Sequence, residues 1–218
     1  MKRLFVFLMI VFCSAAVFAQ VSIGGGGLVS GSFSSWFLDK DKPGDLDRFN
    51  SSLLGVAPFV FVDLKYAEIS IALPIGTLKG DSTMSTNPNF PASTLGLRGS
   101  AYFKIPFALS SRFSLFPMIG ADFDLFFSAK KDDDRDALFP VSGTSNVKAG
   151  EALNTLWFKA GIGLDTFITE HLFIRTEALY GIRLNNKMEK YFRDIRSGEM
   201  KSMLTHGGDF KLAIGYRF

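Results

Sequence analysis

Apolar residues recur at every second position over most of the chain, and polar, turn-forming stretches interrupt the alternation. In the last segment Phe210, Leu212, Ile214, Tyr216 and Phe218 fall on one side, and Lys211, Ala213, Gly215 and Arg217 on the other. Period 2 is the signature of a strand with one apolar face and one polar or crowded face. The same pattern is clear in Leu95–Ile105, Leu156–Thr166 and Leu172–Leu184. It recurs in Phe113–Phe127, with Asp122 and Asp124 opposite Phe123 and Leu125. Ile69–Ile75 alternates against Glu68, Ser70 and Ala72. Val21–Leu38 alternates with Gly and Ser opposite Val, Ile and Phe. Leu53–Leu64 is apolar on both sides, and the expected register sends Val56, Pro58, Val60 and Val62 outward and Phe59, Phe61 and Asp63 inward.

These segments predict eight strands. Their connections alternate long and short. Asp39–Ser52, Lys79–Ser93, Lys130–Asn154 and Asn185–Gly208 are long and polar, and the last admits a short helix near Met188–Met200. The connections at Lys65-Tyr66, around Pro106–Arg112 and at Thr169-Glu170-His171 are short. That order fits an all-β, eight-stranded antiparallel transmembrane barrel with both ends on one side, short turns below and long loops above. Segments of about ten residues suit the hydrocarbon thickness.

Composition narrows the class. The chain has 218 residues, 47% of them apolar, with 24 Phe and 21 Gly, which suits a sheet-rich single domain and not a disordered one. Met1-Lys2-Arg3 precedes the apolar run Leu4–Phe12 and the triplet Val17-Phe18-Ala19. This reads as an export leader over residues 1–19, leaving a barrel domain over 20–218. Cys13 would go with the leader unless it were lipidated, and Phe12 stands where a lipidation signal carries a small residue. Without Lys2 and Arg3 the remaining 22 cations face 21 anions, so the sequence pI near 8.9 is no nucleic-acid footprint. No further apolar run is long enough for a spanning helix, so an exported chain that stays in a membrane does so as a closed barrel or through a lipid anchor.

The final alternating strand, closed by Tyr216-x-Phe218, resembles the recognition signal of bacterial outer-membrane β-barrels. The whole strand pattern is similar to the small eight-stranded members, the OmpA transmembrane domain, OmpX-like and OmpW-like groups. The resemblance implies an outer-membrane location, lipid contact, passage through the export and barrel-assembly machinery, and a monomer. It also implies that Gly215, Tyr216 and Phe218 serve assembly and interface anchoring. An OmpA-type periplasmic domain is not part of the pattern.

On the expected registration, Arg98, Lys104, Asp122, Asp124, Lys159, Asp165, Arg175, Glu177, Arg183, Lys211 and Arg217 face the lumen. Unpaired buried charges are costly, so a mutually paired network is the reading. Eight strands enclose a space that side chains can fill, which predicts no wide aqueous pore. Phe59, Phe61, Phe116, Met118, Phe126 and Trp157 would be interior filler or line an apolar pocket. Pro58 and Pro117 each remove a ladder hydrogen bond.

Catalytic and metal chemistry find little support. Gly24–Gly27 lacks the Lys and Ser/Thr of a phosphate loop, and Asp132–Asp134 lacks the spacing of a calcium loop. Only His171 and His206 could serve as a base. His206 has Ser197, Ser202, Thr205 and Asp209 near it in sequence, but acyl chemistry needs them within reach in space. No cofactor or metal is expected. The open functions are a structural or surface-interaction role through the four long loops, with an external or host ligand, and passage of small hydrophobic molecules with a lateral exit. A soluble lipocalin-like barrel is the remaining alternative, and a continuous apolar outer belt weighs against it.

Overall fold

The computed structural model describes residues 21–38, 48–80, 92–130, 139–140, 146–147, 153–184 and 200–218. The leader with Cys13, the acidic run after Lys130, Ser197 and the segment admitting a short helix up to residue 199 lie outside them.

Eight barrel strands follow in order. They are β1 (Ser22–Leu38), β2 (Arg48–Asp63), β3 in two segments (Ala67–Ala72 and Ile75–Gly80), β4 (Ala92–Lys104), β5 (Phe113–Lys130), β6 (Thr155–Phe167), β7 (Leu172–Arg183) and β8 (Met200–Arg217). Each pairs antiparallel with its sequence neighbours, and β8 pairs with β1 from Ser22↔Arg217 upward, so the sheet closes. The molecule is a closed, eight-stranded antiparallel β-barrel. Closure leaves no sheet edge, which a barrel in an apolar medium requires. A short pair, Phe139–Pro140 with Asn146–Val147, stands apart in the connection after β5.

The alternation sets which face each residue takes. Val60, Ile71, Phe103, Ile162, Leu212 and Ile214 point outward and are about half exposed. Their neighbours Phe61, Ser70, Tyr102, Asp165 and Lys211 point inward and are buried. β2 takes the register expected for it, with Phe59, Phe61 and Asp63 inside. Tight turns join the strands at the end where β1 begins and β8 finishes. At Leu64–Tyr66, Lys65 has a φ of 66°, and the Asp63 carboxylate accepts its backbone N–H at 2.9 Å, holding this left-handed position.

Two features depart from the expected outline. Several strands run further on the long-loop side than the alternation suggested: β2 starts at Arg48, not Leu53, and β8 at Met200, not near Phe210. These extensions mix polar residues such as Arg48, Asn50, Lys201 and His206 with Phe49, Met203 and Leu204, so they lack the clean alternation of the apolar belt. The second departure is in β5. Leu95 pairs with Ser128 and Gly96 with Phe126, so one extra residue, Phe127, bulges out. Alternation flips there, and Ala129, not Ser128, becomes the fully buried residue.

β3 is one strand by register but not by hydrogen bonding. Phe59↔Ala72 and Val56↔Ile75 keep the same offset across the gap. Pro58 O accepts from Leu73 N–H at 3.1 Å, and Pro74 O accepts from Gly96 N–H at 2.9 Å. Proline has no N–H to return either bond. The ladder therefore loses one bond on each side of the same stretch of wall.

Candidate functional site

The lumen is the chemically dense part of the molecule. Seven carboxylates (Asp63, Glu68, Asp122, Asp124, Asp165, Glu177, Asp209) and five cations (Arg98, Lys104, Lys159, Arg175, Lys211) are buried in it among the described residues.

Arg175 organises the tier nearer the short turns. Its Nε and Nη2 grip Asp165 at 2.7 and 2.8 Å, Nη1 reaches Glu68 at 2.7 Å, and Nη2 reaches Asp63 at 2.5 Å. Lys104 donates to Asp63 as well. Lys211 lies 3.0 Å from Glu177 and 3.6 Å from Glu68. The Arg175 guanidinium also sits 4.6 Å from the Phe61 ring centre, 5.0 Å from Phe116 and 5.1 Å from Phe173. Each ring lies on a glycine of the neighbouring strand, in the pairs Phe61↔Gly24, Phe116↔Gly163 and Phe173↔Gly215. A methyl group added there would come within 2.5, 2.1 and 2.2 Å of the respective ring. The glycines are notches that admit flat rings, and the rings wall in the cation.

The second tier, nearer the long loops, centres on Arg98. It holds Asp124 with two bonds of 2.5 and 3.0 Å and both oxygens of Asp209 at 3.1 Å. Lys159 joins Asp209 to Asp122, the latter at 2.7 Å. The Tyr102 hydroxyl donates to Asp122 at 2.5 Å, and the Trp157 indole N–H donates to Asp124 at 3.1 Å. Two further cations flank the ends. Arg183 Nε donates to Thr155 at 2.5 Å, and Arg217 stacks 4.1 Å from the Phe167 ring centre. With these two, seven positive groups face seven negative ones among the described residues.

Of the lumen residues named from the sequence, nine enter the two tiers and Arg183 and Arg217 stand at the two mouths. Asp63, Glu68, Asp209 and Tyr102 complete the tiers beyond the residues expected there. Glu68 and Asp63 already lay on inward faces of the alternation, and Asp209 shares its parity with Lys211, so extending that parity by two residues finds it.

The six apolar candidates do not share one cavity. Phe59 and Phe61 pack with Leu28, Ala57, Ala72, Phe173 and Ala213, whereas Phe116 and Met118 pack with Tyr102 and Leu179. Phe126 and Trp157 line a space of about 30 Å³, which admits no more than a little water. A wider cavity of about 650 Å³ opens at the short-turn mouth and stops against Asp63, Lys104 and Asp165. Thus the tiers occlude the lumen along the described strands.

Among the described residues, neither histidine ring is hydrogen-bonded to a serine or threonine hydroxyl. Nδ1 of His206 is 2.8 Å from the Tyr180 hydroxyl on the outer surface, while Thr205 and Asp209 face the lumen. His171 lies at the other end, with Nδ1 2.9 Å from Arg217 O and its ring stacked on Tyr216 at 5.4 Å. Among the described residues no group of three or more His, Cys, Asp or Glu is placed to hold a metal ion. Tyr216 and Phe218 are exposed on the outside, edge to face at 5.2 Å, and Gly215 faces inward beneath Phe173.

No protein-family model and no curated protein matches the chain. Among solved structures, the outer membrane protein OprG from Pseudomonas aeruginosa is similar with a TM-score of 0.53 at 10% identity, covering 92% of this chain and 96% of that one. Outer membrane protein W of E. coli gives 0.41 at 12% identity, covering 92% and 98%. Ail, the attachment invasion locus protein of Yersinia pestis, gives 0.39 at 12% identity, covering 92% and 99%. At such identities the likeness to OprG is one of fold, and the other two scores are too low to argue from. The chain has the barrel fold of small outer-membrane proteins.

Proposed function

We propose that the protein is a monomeric, integral outer-membrane β-barrel with a closed interior, acting through its outer surface and its long-loop end. The observation that carries this reading is the inversion of polarity. Isoleucine, valine, leucine and phenylalanine cover the outside of the described strands, while twelve charged side chains are folded within. A barrel with that outside is insoluble in water and stable in lipid. A lumen filled by two tiers of paired charge suits a scaffold for loops better than a conduit. Residues 1–19 act as the export leader, and Gly215, Tyr216 and Phe218 form the segment read during barrel assembly, the two rings then resting at the membrane interface.

Passage of small hydrophobic molecules is the second reading. The paired hydrogen-bond gap at Pro58 and Pro74 favours it, because a lateral exit needs a weak wall. The filled lumen beside that wall weighs against it.

Two measurements test the proposal. Unheated and boiled samples of the membrane fraction are compared by gel mobility, and purified barrel is placed in planar bilayers. A heat-modifiable band with no repeated large conductance steps is expected. Protein recovered as soluble periplasmic material would overturn the membrane assignment, and steady large steps would overturn the closed interior. Phe218→Ala is expected to reduce the heat-modifiable fraction without altering the lumen.

A further inference from the structure

The cavity of about 650 Å³ at the short-turn mouth falls within the size range of small-molecule pockets. Four cations line it: Lys65, Lys104, Arg112 and Arg217. Lys104 is held by Asp63. The other three make no ion pair with a carboxylate among the described residues, whereas each of the five buried cations of the two tiers does. Lys65 stands in the turn after β2, Arg112 in the turn after β4, and Arg217 at the end of β8. Phe167 draws two of them together. Its N–H donates to Arg112 O at 2.8 Å, and the Arg217 guanidinium stacks on its ring. Arg217 Nε is closed off from water and has no acceptor. Ser22 pairs with Arg217 on one side of the ladder and with Asp63 on the other, and is buried beside them.

Charge decides what such a mouth can hold. The tier behind the floor sets four carboxylates, Asp63, Glu68, Asp165 and Glu177, against Arg175, Lys104 and Lys211, so Arg217 evens it. Lys65 and Arg112 add two positive charges at the rim, and Glu170, which also lines the cavity, offsets one of them. One positive charge is left over. Asp63 and Asp165 at the floor keep an anionic group toward the rim, and Pro106, Ala108 and Ile168 supply apolar lining. We infer that the cavity binds a small organic monocarboxylate. Its carboxylate lies between Arg112 and Arg217, and its apolar body rests on Pro106, Ala108 and Ile168. A guanidinium takes a carboxylate with two parallel bonds, as Arg175 takes Asp165 and Arg98 takes Asp124 inside the barrel. The tiers shut the floor, so the ligand is held and not passed through. The site needs only the closed barrel, while its facing the periplasm rests on the membrane reading above.

The test titrates the full-length barrel, purified in detergent at low salt, with benzoate and with benzamide, its uncharged isostere, in a calorimeter. Wild type is expected to bind one benzoate per barrel, about tenfold more tightly than benzamide. Arg217→Gln should weaken benzoate by about tenfold and leave benzamide unchanged. Arg217 stands on the closing strand, so Arg112→Gln, in a turn, carries the test should that variant fail to form the barrel, with the same direction of loss expected. Glu170→Gln should tighten benzoate by about two- to threefold, a gain that a merely loosened mouth would not give. Lys79→Gln, which removes an exposed cation at the long-loop end of β3, should change nothing. Heat-modifiable mobility reports the folding of each variant. Equal binding of benzamide and benzoate by folded wild type, no saturable benzoate binding, or unchanged affinity in folded Arg112→Gln would overturn the site while leaving the barrel and its membrane location intact. A loss in Lys79→Gln as large as that in Arg112→Gln would reduce the effect to net charge and overturn it as well. Displacement of benzoate by an equal concentration of inorganic phosphate would overturn the organic carboxylate as ligand. Absence of a heat-modifiable wild-type band would overturn the closed barrel on which both readings stand.

Discussion

Arg175 offers the sharpest test of the lumen. It makes four hydrogen bonds to three carboxylates, on β2, β3 and β6, while itself standing on β7. Truncation to alanine leaves Asp63, Glu68 and Asp165 with Lys104, Lys211 and Arg217 as their nearby cations. Breaking a buried ion pair from one side costs about 3–5 kcal/mol, and the space vacated between three phenyl rings adds to that. We expect Arg175→Ala to lose about 4 kcal/mol or more of barrel stability. Arg175→Lys keeps the charge but has only three donors at one point, so it cannot reproduce the two-pronged grip on Asp165. Hydrogen bonds to charged groups contribute about 1.5–3 kcal/mol each, and the loss should fall in that range. Arg175→Met with Asp165→Asn removes one charge of each sign. It should be more stable than Arg175→Met alone by about 1.5 kcal/mol or more, since the balance of charge in the lumen is restored. The assay is urea unfolding and refolding of vesicle-inserted protein, followed by tryptophan fluorescence and gel mobility. Arg175→Ala within about 1 kcal/mol of wild type, or no rescue by Asp165→Asn, would refute the tier as a paired unit.

Three further outcomes follow from the same structure. Gly163→Ala should destabilise the barrel by about 1–3 kcal/mol through its clash with the Phe116 ring, and Phe116→Leu should recover part of the loss in urea unfolding. Tyr102→Phe removes the donor to Asp122 and should cost about 1.5–3 kcal/mol by the same assay, with mobility unchanged. Amide hydrogen exchange should be faster at Ala72, Leu73 and Gly96, beside the two prolines, than at Ala160 and Ile162 in the unbroken β6 ladder. Equal protection at both places would show that the missing bonds do not loosen the wall.

Much of the architecture is legible because period 2 on a closed sheet leaves little choice. Once Phe158, Ile162 and Leu164 face outward, Lys159 and Asp165 must face inward, and the same holds for Arg175 against Ile174. The strand ends are less legible. Asp209 reads as loop because Thr205, His206, Gly207 and Gly208 before it are polar or small, and nothing local shows that a strand continues into water. Partner choice is less legible still. Arg175 meets Asp165 ten positions away, but it meets Glu68 and Asp63 at separations of 107 and 112. Those contacts come from how far each strand slides against its neighbour around the ring, which alternation leaves open. The ring-on-glycine pairs have the same origin, since Phe116 and Gly163 meet only through the β5–β6 register. The bulge at Phe127 leaves no mark in the alternation, because Phe126 and Phe127 are both apolar and either suits an apolar outer face.

The two charge tiers draw on strands from opposite halves of the chain, and that bears on the order of assembly. A half-built sheet of β1 to β4 carries Asp63, Glu68, Arg98 and Lys104 on a face open to water, with most of their partners still to arrive. Lys104 and Asp63 can meet early, but Arg98 waits for Asp124 on β5 and Asp209 on β8, and Glu68 waits for β7. Water must solvate that face until the last seam, β8 on β1, brings the opposite wall within reach. The interior then dries in one step, together with closure, and an open sheet has no stable dry intermediate to rest in. A barrel wired this way should form its lumen all at once.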